Sequence, residues 1–591
     1  MRRCSHTLGL VLSILLGGGA SSLAGQEPAA GRSPDLPIRE EVVLRTDRTL
    51  YVAGEDIFFR ADRLLEGLPG EEDWSSVLYV ELVEPGSGTR TRGRFALSDG
   101  VAMGRISIPA DMLTGWVYLK AYTRWMRNQG PGEFAWLPLR LVNPDHKSLN
   151  AGSRNPGSGA WERPLADGDN ESPESGLGCR PLQEVVKPGD SVRIALTVGV
   201  PLPAGTRAFC LSVAEEGCLS GEEGAFQVAS GESAPGASEL VRPDLGRSLG
   251  LGGTVVDSGK GPVPFAEVSV SLLGRYPDFF VTTADGDGRF LLDMQLDPGD
   301  KELFVCPGRI HGTNPQVRIE LDFEDAGMPE PLQPFVLSDT EREAARKLAL
   351  RRQVARVFGA EGARPDSAPP VDWRRDAPFY GTQVERLNID DYIRLPNLEE
   401  VFLNLVPQVQ FYRKRGERQV HFINPNPIME HFKPLILVDN IPVFDLDALL
   451  RISPDRVSHI EWINDVYLKG NLQFGGILAV TTRKGDLAGI DLPRGGYFFD
   501  LQATEATTAA HRPDYDSGGI APDVRNTVYW DANVNLTSGG ESIIAFPAPE
   551  LPGTYHILLR GILPSGEVVG VRGAFRVADT LKTRGRDHGE P

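Results

Sequence analysis

The sequence predicts a mainly β chain: serial β-sandwich domains, one small α/β domain and a short connector helix. Three observations carry this. Short alternating or apolar segments recur along the chain, each closed by Gly, Pro, Asp or Asn, the pattern of strands joined by turns. Gly (66) and Pro (46) are abundant, and both suit turns better than helix interiors. Only residues 338–359 combine a helical apolar period with signals at both ends. At 591 residues the chain is too long for one core, so about four domains are expected. A formal charge of −19 repels nucleic acid and anionic lipid, which sets a polyanion-binding role aside.

Arg2 and Arg3, then the apolar run Leu8 to Leu16, then Ser22-Leu23-Ala24 make a signal peptide over 1–24, with a mature chain from Gly25. The apolar run is shorter than the ~20 residues a membrane span needs and is broken by Gly17, Gly18 and Gly19. Cys4 precedes it, so it is not a lipidated cysteine, and no other stretch is long and apolar enough to span. Export implies an oxidising compartment. Cys179, Cys210, Cys218 and Cys306 therefore have two open readings: one or two disulfides, or buried free thiols.

After a flexible leader, 25–37, strands at Val42–Leu44, Leu50–Val52, Ile57–Ala61, Val77–Leu82 and Trp116–Tyr122 predict a sandwich over 38–146. Within it, Thr46-Asp47-Arg48-Thr49-Leu50-Tyr51-Val52-Ala53-Gly54-Glu55 resembles the opening of the macroglobulin-like β-sandwich of alpha-2-macroglobulin-type proteins. The run from Val117 to Asn128, with Tyr122-Thr123-Arg124-Trp125-Met126-Arg127 at its centre, is similar to Bacteroidetes-type envelope proteins. These join such a sandwich to a TonB-receptor-like plug domain. A Gly/Ser/Asn/Pro-rich linker, 147–178, lacks apolar residues able to join a core, so 38–146 is expected to fold alone.

A second β-sandwich domain, 179–245, is expected around Ser191–Val198 and Ala208–Ala214, with a loosely composed loop from 220. A third, 246–325, built on Gly252–Asp257, Pro264–Val270 and Thr282–Phe290, resembles the carboxypeptidase-regulatory-like sandwich. Asp285-Gly286-Asp287-Gly288 lacks the later ligands of a calcium loop and is read as a hairpin turn. The connector, 326–386, carries the helix 338–359. Ser338 and Glu341 form a capping box, Gly359 a C-cap, and Leu350, Val354, Val357 and Phe358 an apolar stripe. Its basic residues, among them Arg342, Lys347, Arg351 and Arg356, dock an acidic partner, or else are solvated or meet this chain's own acids. The second reading is favoured by the net charge.

Residues 387–490 resemble the plug domain of TonB-dependent receptors through Leu435-Ile436-Leu437-Val438-Asp439-Asn440-Ile441-Pro442-Val443, Val457–Ile463 and Phe474–Gly485. Two features depart from that family. No TonB box precedes the segment, and only about a hundred residues follow it, too few for a transmembrane barrel. Its apolar strands need cover on both faces. Helical segments 398–405 and 445–451 supply one cover, leaving the other to a sandwich or to another protein. A C-terminal β-sandwich domain, 491–580, and a tail, 581–591, complete the chain.

The sequence offers no catalytic, cofactor-binding or metal-binding residue. His-Glu-x-x-His and the phosphate-binding Gly-x-x-x-x-Gly-Lys-Ser/Thr are missing, and no Gly-x-Ser-x-Gly joins a strand to a helix. His421 and His431 lack a third ligand. No mature cysteine has the Glu-Gln context of a thioester, so covalent protease trapping is not expected. Tyr412-Arg413-Lys414-Arg415 lies at a hairpin tip with Glu417 beside it, where charges are ordinarily solvated. The expectation is a non-enzymatic binding or scaffold protein, exported to the periplasm, outer membrane or cell surface, and accessory to an outer-membrane receptor or transport assembly. Its partner would be an envelope or outer-membrane protein, with a glycan as a further ligand class, no nucleic acid and no cofactor. The alternative is a thioester-less macroglobulin-like inhibitor or sensor of envelope proteases.

Overall fold

The structure, a computed structural model, describes residues 38–66, 74–151, 171–172, 176–199, 203, 206–219, 248–257, 261–274, 276–310, 312–320, 322–325, 335–357, 378–381, 384–424, 426–511, 523–536, 540–563, 566 and 568–579. The predicted signal peptide, leader, loop from 220, Phe358, Gly359 and tail lie outside the described residues. The chain is mainly β, as expected, with three α-helices among the described residues.

The first sandwich pairs a three-stranded sheet (Arg39–Thr46, Asp56–Glu66, Val101–Ser107) with a five-stranded one (Leu50–Val52, Ala135–Val142, Gly115–Thr123, Val77–Glu84, Gly88–Ala96). Alternation explains its core: Ile57, Phe59 and Ala61 from one sheet meet Leu78, Val80 and Leu119 from the other. The opposite faces, which alternation assigns to water, are buried as well. Phe58, Arg60 and Asp62 are at most 7% exposed, because the second sandwich lies over them.

That second sandwich corrects the expected domain order. The strands Leu177–Pro181 and Ser191–Val198 pair into one sheet with Glu541–Pro547. Phe209–Glu215 lies between Thr527–Val534 and Gly553–Ile562 in the other. Strands expected in two separate domains, 179–245 and 491–580, thus form one discontinuous sandwich, with a common core that includes Leu196, Val213, Tyr529, Ile557 and Phe575, while Tyr497–Gln502 of the second joins another sheet. The physical reason is strand number: two or three strands bury too little apolar surface to stand alone. The sandwich also begins inside the expected linker, since Glu171–Ser172 pairs with Leu177–Pro181.

Inserted between the two parts of that sandwich are the third sandwich and the α/β unit. The third sandwich has one sheet of Leu249–Asp257, Arg289–Met294, Pro315–Glu320 and Gly261–Pro262. Its other sheet is Asp278–Thr283, Glu267–Leu272, Asp300–Pro307 and Tyr497–Gln502, the last strand returning from beyond the α/β unit. Asp285 accepts from the backbone N–H groups of Asp287 and Arg289, and Gly288 takes φ 75°, so this segment is a turn held by its own carboxylate.

Helix α1, Asp339–Val357, has the expected reciprocal cap: Ser338 Oγ accepts from Glu341 N–H at 3.2 Å, and Glu341 accepts from Ser338 N–H at 2.7 Å. The expected stripe is wrong. Leu350 and Val357 are 56% and 82% exposed, whereas Ala344, Ala345 and Leu348 are buried against Leu50, Val52, Cys218 and Leu558, and Arg351 is buried too. Small residues let the helix approach closely; a Cβ on Gly217 would stand 2.9 Å from the Thr340 carbonyl oxygen. Lys347 and Arg351 reach the buried Glu215 at 2.5 and 2.7 Å, and Arg356 reaches Asp145 at 3.4 Å. The basic face therefore meets this chain's own acids.

In the α/β unit a five-stranded sheet (Glu385–Asn388, Val457–Lys469, Leu472–Thr482, Leu435–Val438, Ile441–Pro442) carries α2, Leu398–Leu405, and α3, Leu446–Leu450. Asn397 and Asp445 cap these helices by accepting from Glu400 and Ala448 N–H. Ile436, Val438, Ile460, Leu478 and Val480 face the helices. Leu435, Leu437, Ile477 and Ala479 face Phe279 and Val281 of the third sandwich. Of the two covers left open for the second face, the sandwich supplies one.

Cys179, Cys210, Cys218 and Cys306 are buried and free. Burial pushes the thiols of Cys179, Cys218 and Cys306 up to about 12.

Candidate functional site

The third sandwich covers only part of the second face of the α/β sheet. The remainder is the floor of a cleft of about 930 Å³, the size of a small-ligand or peptide site. Alternation along Val457–Lys469 decides what that floor presents. Ile460 and Trp462 point to the helices, so His459 and Glu461 point to the cleft. Cross-strand pairing sets Arg386 opposite Glu461 and Thr481 opposite His459.

Glu461 is 6% exposed, and a carboxylate so placed needs partners. Tyr380 donates its hydroxyl to Glu461 Oε2 at 2.5 Å, and Arg386 Nη1 stands 3.6 Å from Oε1. Burial, then the bond to Glu461, raises the Tyr380 hydroxyl, which stays protonated as a donor. Burial, then the Arg386 charge, lowers His459, so its imidazole is neutral at pH 7. Phe379 stacks on Phe279, ring centroids 5.5 Å apart, and meets Tyr380 edge-on at 4.9 Å. Phe498, 48% exposed, and Tyr276 belong to the same lining. Leu273, Tyr276, Pro277 and Phe379 also line a second cleft of about 1060 Å³ that runs toward the first sandwich. The arrangement offers aromatic faces, a half-exposed guanidinium, a neutral imidazole and a fixed hydroxyl. Such a set orients an amphipathic ligand.

A third cleft of about 680 Å³ lies between Pro307–Pro315 and α3. Two charge pairs already form there: Arg418 reaches Asp447 at 3.1 Å, and Arg309 reaches Glu417 at 3.4 Å. It has less to offer a ligand.

The segments weighed in the sequence fall elsewhere. His421 lies on Glu417–Phe422 and His431 closes the turn Pro427–His431. No group of three or more His, Cys, Asp or Glu among the described residues is placed to hold a metal ion. Arg413 pairs with Asp447 at 3.0 Å, and Arg415 takes φ 53° at the hairpin turn. Sequence reasoning missed Glu461 and Tyr380. A lone Glu within the apolar run Ile460–Ile463 was a usable signal for the first. Nothing local marks Tyr380, which the fold alone carries to that face. No helix among the described residues is long and apolar enough to cross a membrane.

No family model matches this sequence, and no curated relative matches it. Among solved structures, the chain is similar to trypsin-activated alpha-2-macroglobulin from Escherichia coli. There the identity is 8% and the TM-score 0.21, over 91% of this chain and 42% of that one. Salmonella alpha-2-macroglobulin reacted with methylamine gives 8% identity and a TM-score of 0.22, over 91% and 39%. The Yersinia pseudotuberculosis adhesin InvE gives 8% and 0.12, over 48% and 58%. The chain spans less than half the length of either macroglobulin, and scores this low assign neither family nor function.

Proposed function

We propose that the protein is a non-enzymatic binding or scaffold protein of a bacterial envelope, accessory to an outer-membrane receptor or transport assembly, and that it binds through the cleft between its third sandwich and its α/β unit. One observation carries the reading. The α/β sheet packs Leu437 and Ile477 against Phe279 and Val281, while beside that contact the same face stays open with Glu461, Arg386 and Tyr380 in fixed geometry. A plug-like unit packed against a sandwich over part of this face presents the remaining surface to a ligand. The export signal and the resemblance at Leu435–Val443 support the envelope setting.

The test uses the full chain and a double variant, Arg386→Ala with Phe498→Ala. Both side chains are about half exposed, so the fold is expected to persist. Affinity capture from native envelope fractions, with bound proteins and glycans identified, should lose at least ten-fold of its specific material in the variant. Equal capture by both chains would remove binding from this cleft.

A further inference from the structure

The outer face of the five-stranded sheet of the first sandwich is unlike an ordinary solvent face. Tyr79, Arg94, Lys120 and Tyr122 all project from it, as alternation along Val77–Glu84, Gly88–Ala96 and Gly115–Thr123 requires. With Arg124 they are buried: Tyr79 is 0%, Lys120 1%, Arg124 4% and Arg94 7% exposed. The third sandwich covers part of this face, where Arg94 donates to the Gln502 carbonyl oxygen at 2.9 Å; the rest of the cover is a short extended segment, Asp322-Phe323-Glu324, which follows the strand Pro315–Glu320 and belongs to no sheet.

The contacts read this segment as a peptide-binding groove reads its ligand. Asp322 accepts from Tyr79 OH at 2.6 Å and from Arg127 Nη1 at 2.7 Å, and Arg124 stands 3.6 Å away. The second Arg127 nitrogen donates to the Asp322 carbonyl oxygen at 2.7 Å, so one guanidinium reads side chain and main chain together. Phe323 lies under the guanidiniums of Arg92 and Arg94, 4.8 and 4.7 Å from its centroid, and edge-on to Tyr79 at 5.4 Å. Glu324 N–H donates to Tyr122 OH at 2.6 Å, and its carbonyl oxygen accepts from Lys120 Nζ at 2.7 Å. Three backbone groups of the strap are thus bonded by side chains of the sandwich, and the strap joins no strand ladder.

Charge points the same way. Lys120 has Glu81 of its own sandwich at 2.6 Å, whereas Arg127 finds Asp322 at 2.7 Å and Glu324 at 3.6 Å from outside it. On a chain of net charge −19 this is a concentrated basic, aromatic surface with an acidic–aromatic–acidic occupant.

We propose that this face is a recognition site for an extended acidic–aromatic–acidic peptide segment of a protein partner, and that the chain's own Asp322–Glu324 fills it in cis. A partner carrying such a segment binds the first sandwich by displacing the strap. Tethering gives the strap an effective concentration on the order of millimolar, so the site is closed to weak competitors and opens only where the strap is weakened or the partner adds contacts elsewhere.

The experiment uses the full chain and a labelled peptide, Asp-Phe-Glu-Asp, followed by fluorescence anisotropy. Asp322→Asn weakens the strap and leaves the groove intact, so the peptide should bind this variant at least ten-fold more tightly than the wild-type chain. Adding Arg127→Ala should abolish that gain. Phe323→Ala is a second route to the same opening. Equal binding to wild type and variants, or none to folded variants at millimolar peptide, overturns the proposal. Loss of cooperative folding in both single variants also overturns it, because the segment is then part of the core and not a displaceable strap. A wild-type dimer that the peptide dissociates would assign the face to a second copy of this chain and overturn the partner assignment.

Discussion

Asp62 holds two arginines that reach from the first sandwich into the second, so one substitution there removes the counter-charge of both. Its carboxylate accepts from Arg45 and, at 2.8 Å through each oxygen, from Arg60. Arg207 stands 3.7 Å away. The two arginines also reach across the seam, Arg60 to the Ala532 carbonyl oxygen at 2.6 Å and Arg45 to that of Arg560 at 3.5 Å. Arg45, Arg60 and Asp62 are at most 1% exposed. Asp62→Asn keeps the volume and one acceptor but removes the charge. Burial, with neighbouring guanidiniums, lowers Arg45 to about 10 and Arg60 to about 9; a guanidinium keeps its charge in a protein at pH 7, so the variant strands both. An uncompensated buried charge of this kind costs about 3–5 kcal/mol, a fall in Tm on the order of 10 °C. Urea and thermal melts of the full chain, followed by circular dichroism, measure it. Arg60→Met in the Asp62→Asn background should recover part of the loss, since it withdraws one of the stranded cations. A loss in Asp62→Asn below about 1 kcal/mol, the range of an exposed pair, would refute the reasoning.

Two further outcomes are expected. A fragment of residues 179–245 should show no cooperative melt and little spectral dispersion by NMR. Its strands Ser191–Val198 and Phe209–Glu215 find their neighbours in Glu541–Pro547, Thr527–Val534 and Gly553–Ile562. Stability should also fall as pH drops through about 6.5, the unfolded value for histidine. Burial first of all lowers His459, His511 and His556 in the folded chain, so the unfolded state takes up protons before the folded state does. The stability they leave intact above that pH is lost progressively below it. Urea midpoints from pH 5 to 8 check this, and His511→Gln, which removes a ring stacked 4.3 Å from Phe58, should flatten the acid limb.

Local signals were legible where local physics decides. The Ser338–Glu341 capping box, the turn at Asp285–Gly288 and the strand character of Ser191–Val198 are written in a few neighbouring residues each. The pairing of Ser191–Val198 with Glu541–Pro547 is not, because about 350 residues separate the partners and strand alternation carries no address. The stripe on α1 failed for a related reason. Leu350 and Val357 are the more apolar choice, yet the helix buries Ala344, Ala345 and Arg351, because Glu215 waits at the junction for a cation. A basic residue can lie on the buried face of a helix when the fold provides its counter-charge, and helical periodicity does not register that. Glu461 is the same lesson at the cleft: its sequence position marks it, but only the fold reveals that Tyr380 and Arg386 meet it there.

The first sandwich shows why the two family-like motifs matter to the molecule beyond their own domain. Asp47, in the first, accepts from Tyr51 OH and Phe58 N–H within its own sandwich, and from Thr527 Oγ across the seam. Thr49 N–H donates to the Cys218 carbonyl oxygen at 2.9 Å. In the second motif, Arg124 and Arg127 hold Asp322. Both motifs thus spend polar groups on segments hundreds of residues away. Residues 38–146 form a closed pair of sheets, but cut free they would expose Phe58 on one outer face and Tyr79 on the other, both buried in the chain. They would also lose the partners that Asp47, Arg60 and Arg127 find outside the fragment. Of these losses only the apolar exposure drives association, because the charges regain water. The expected autonomous domain should therefore remain folded but self-associate, through the Phe58 face that the second sandwich normally covers.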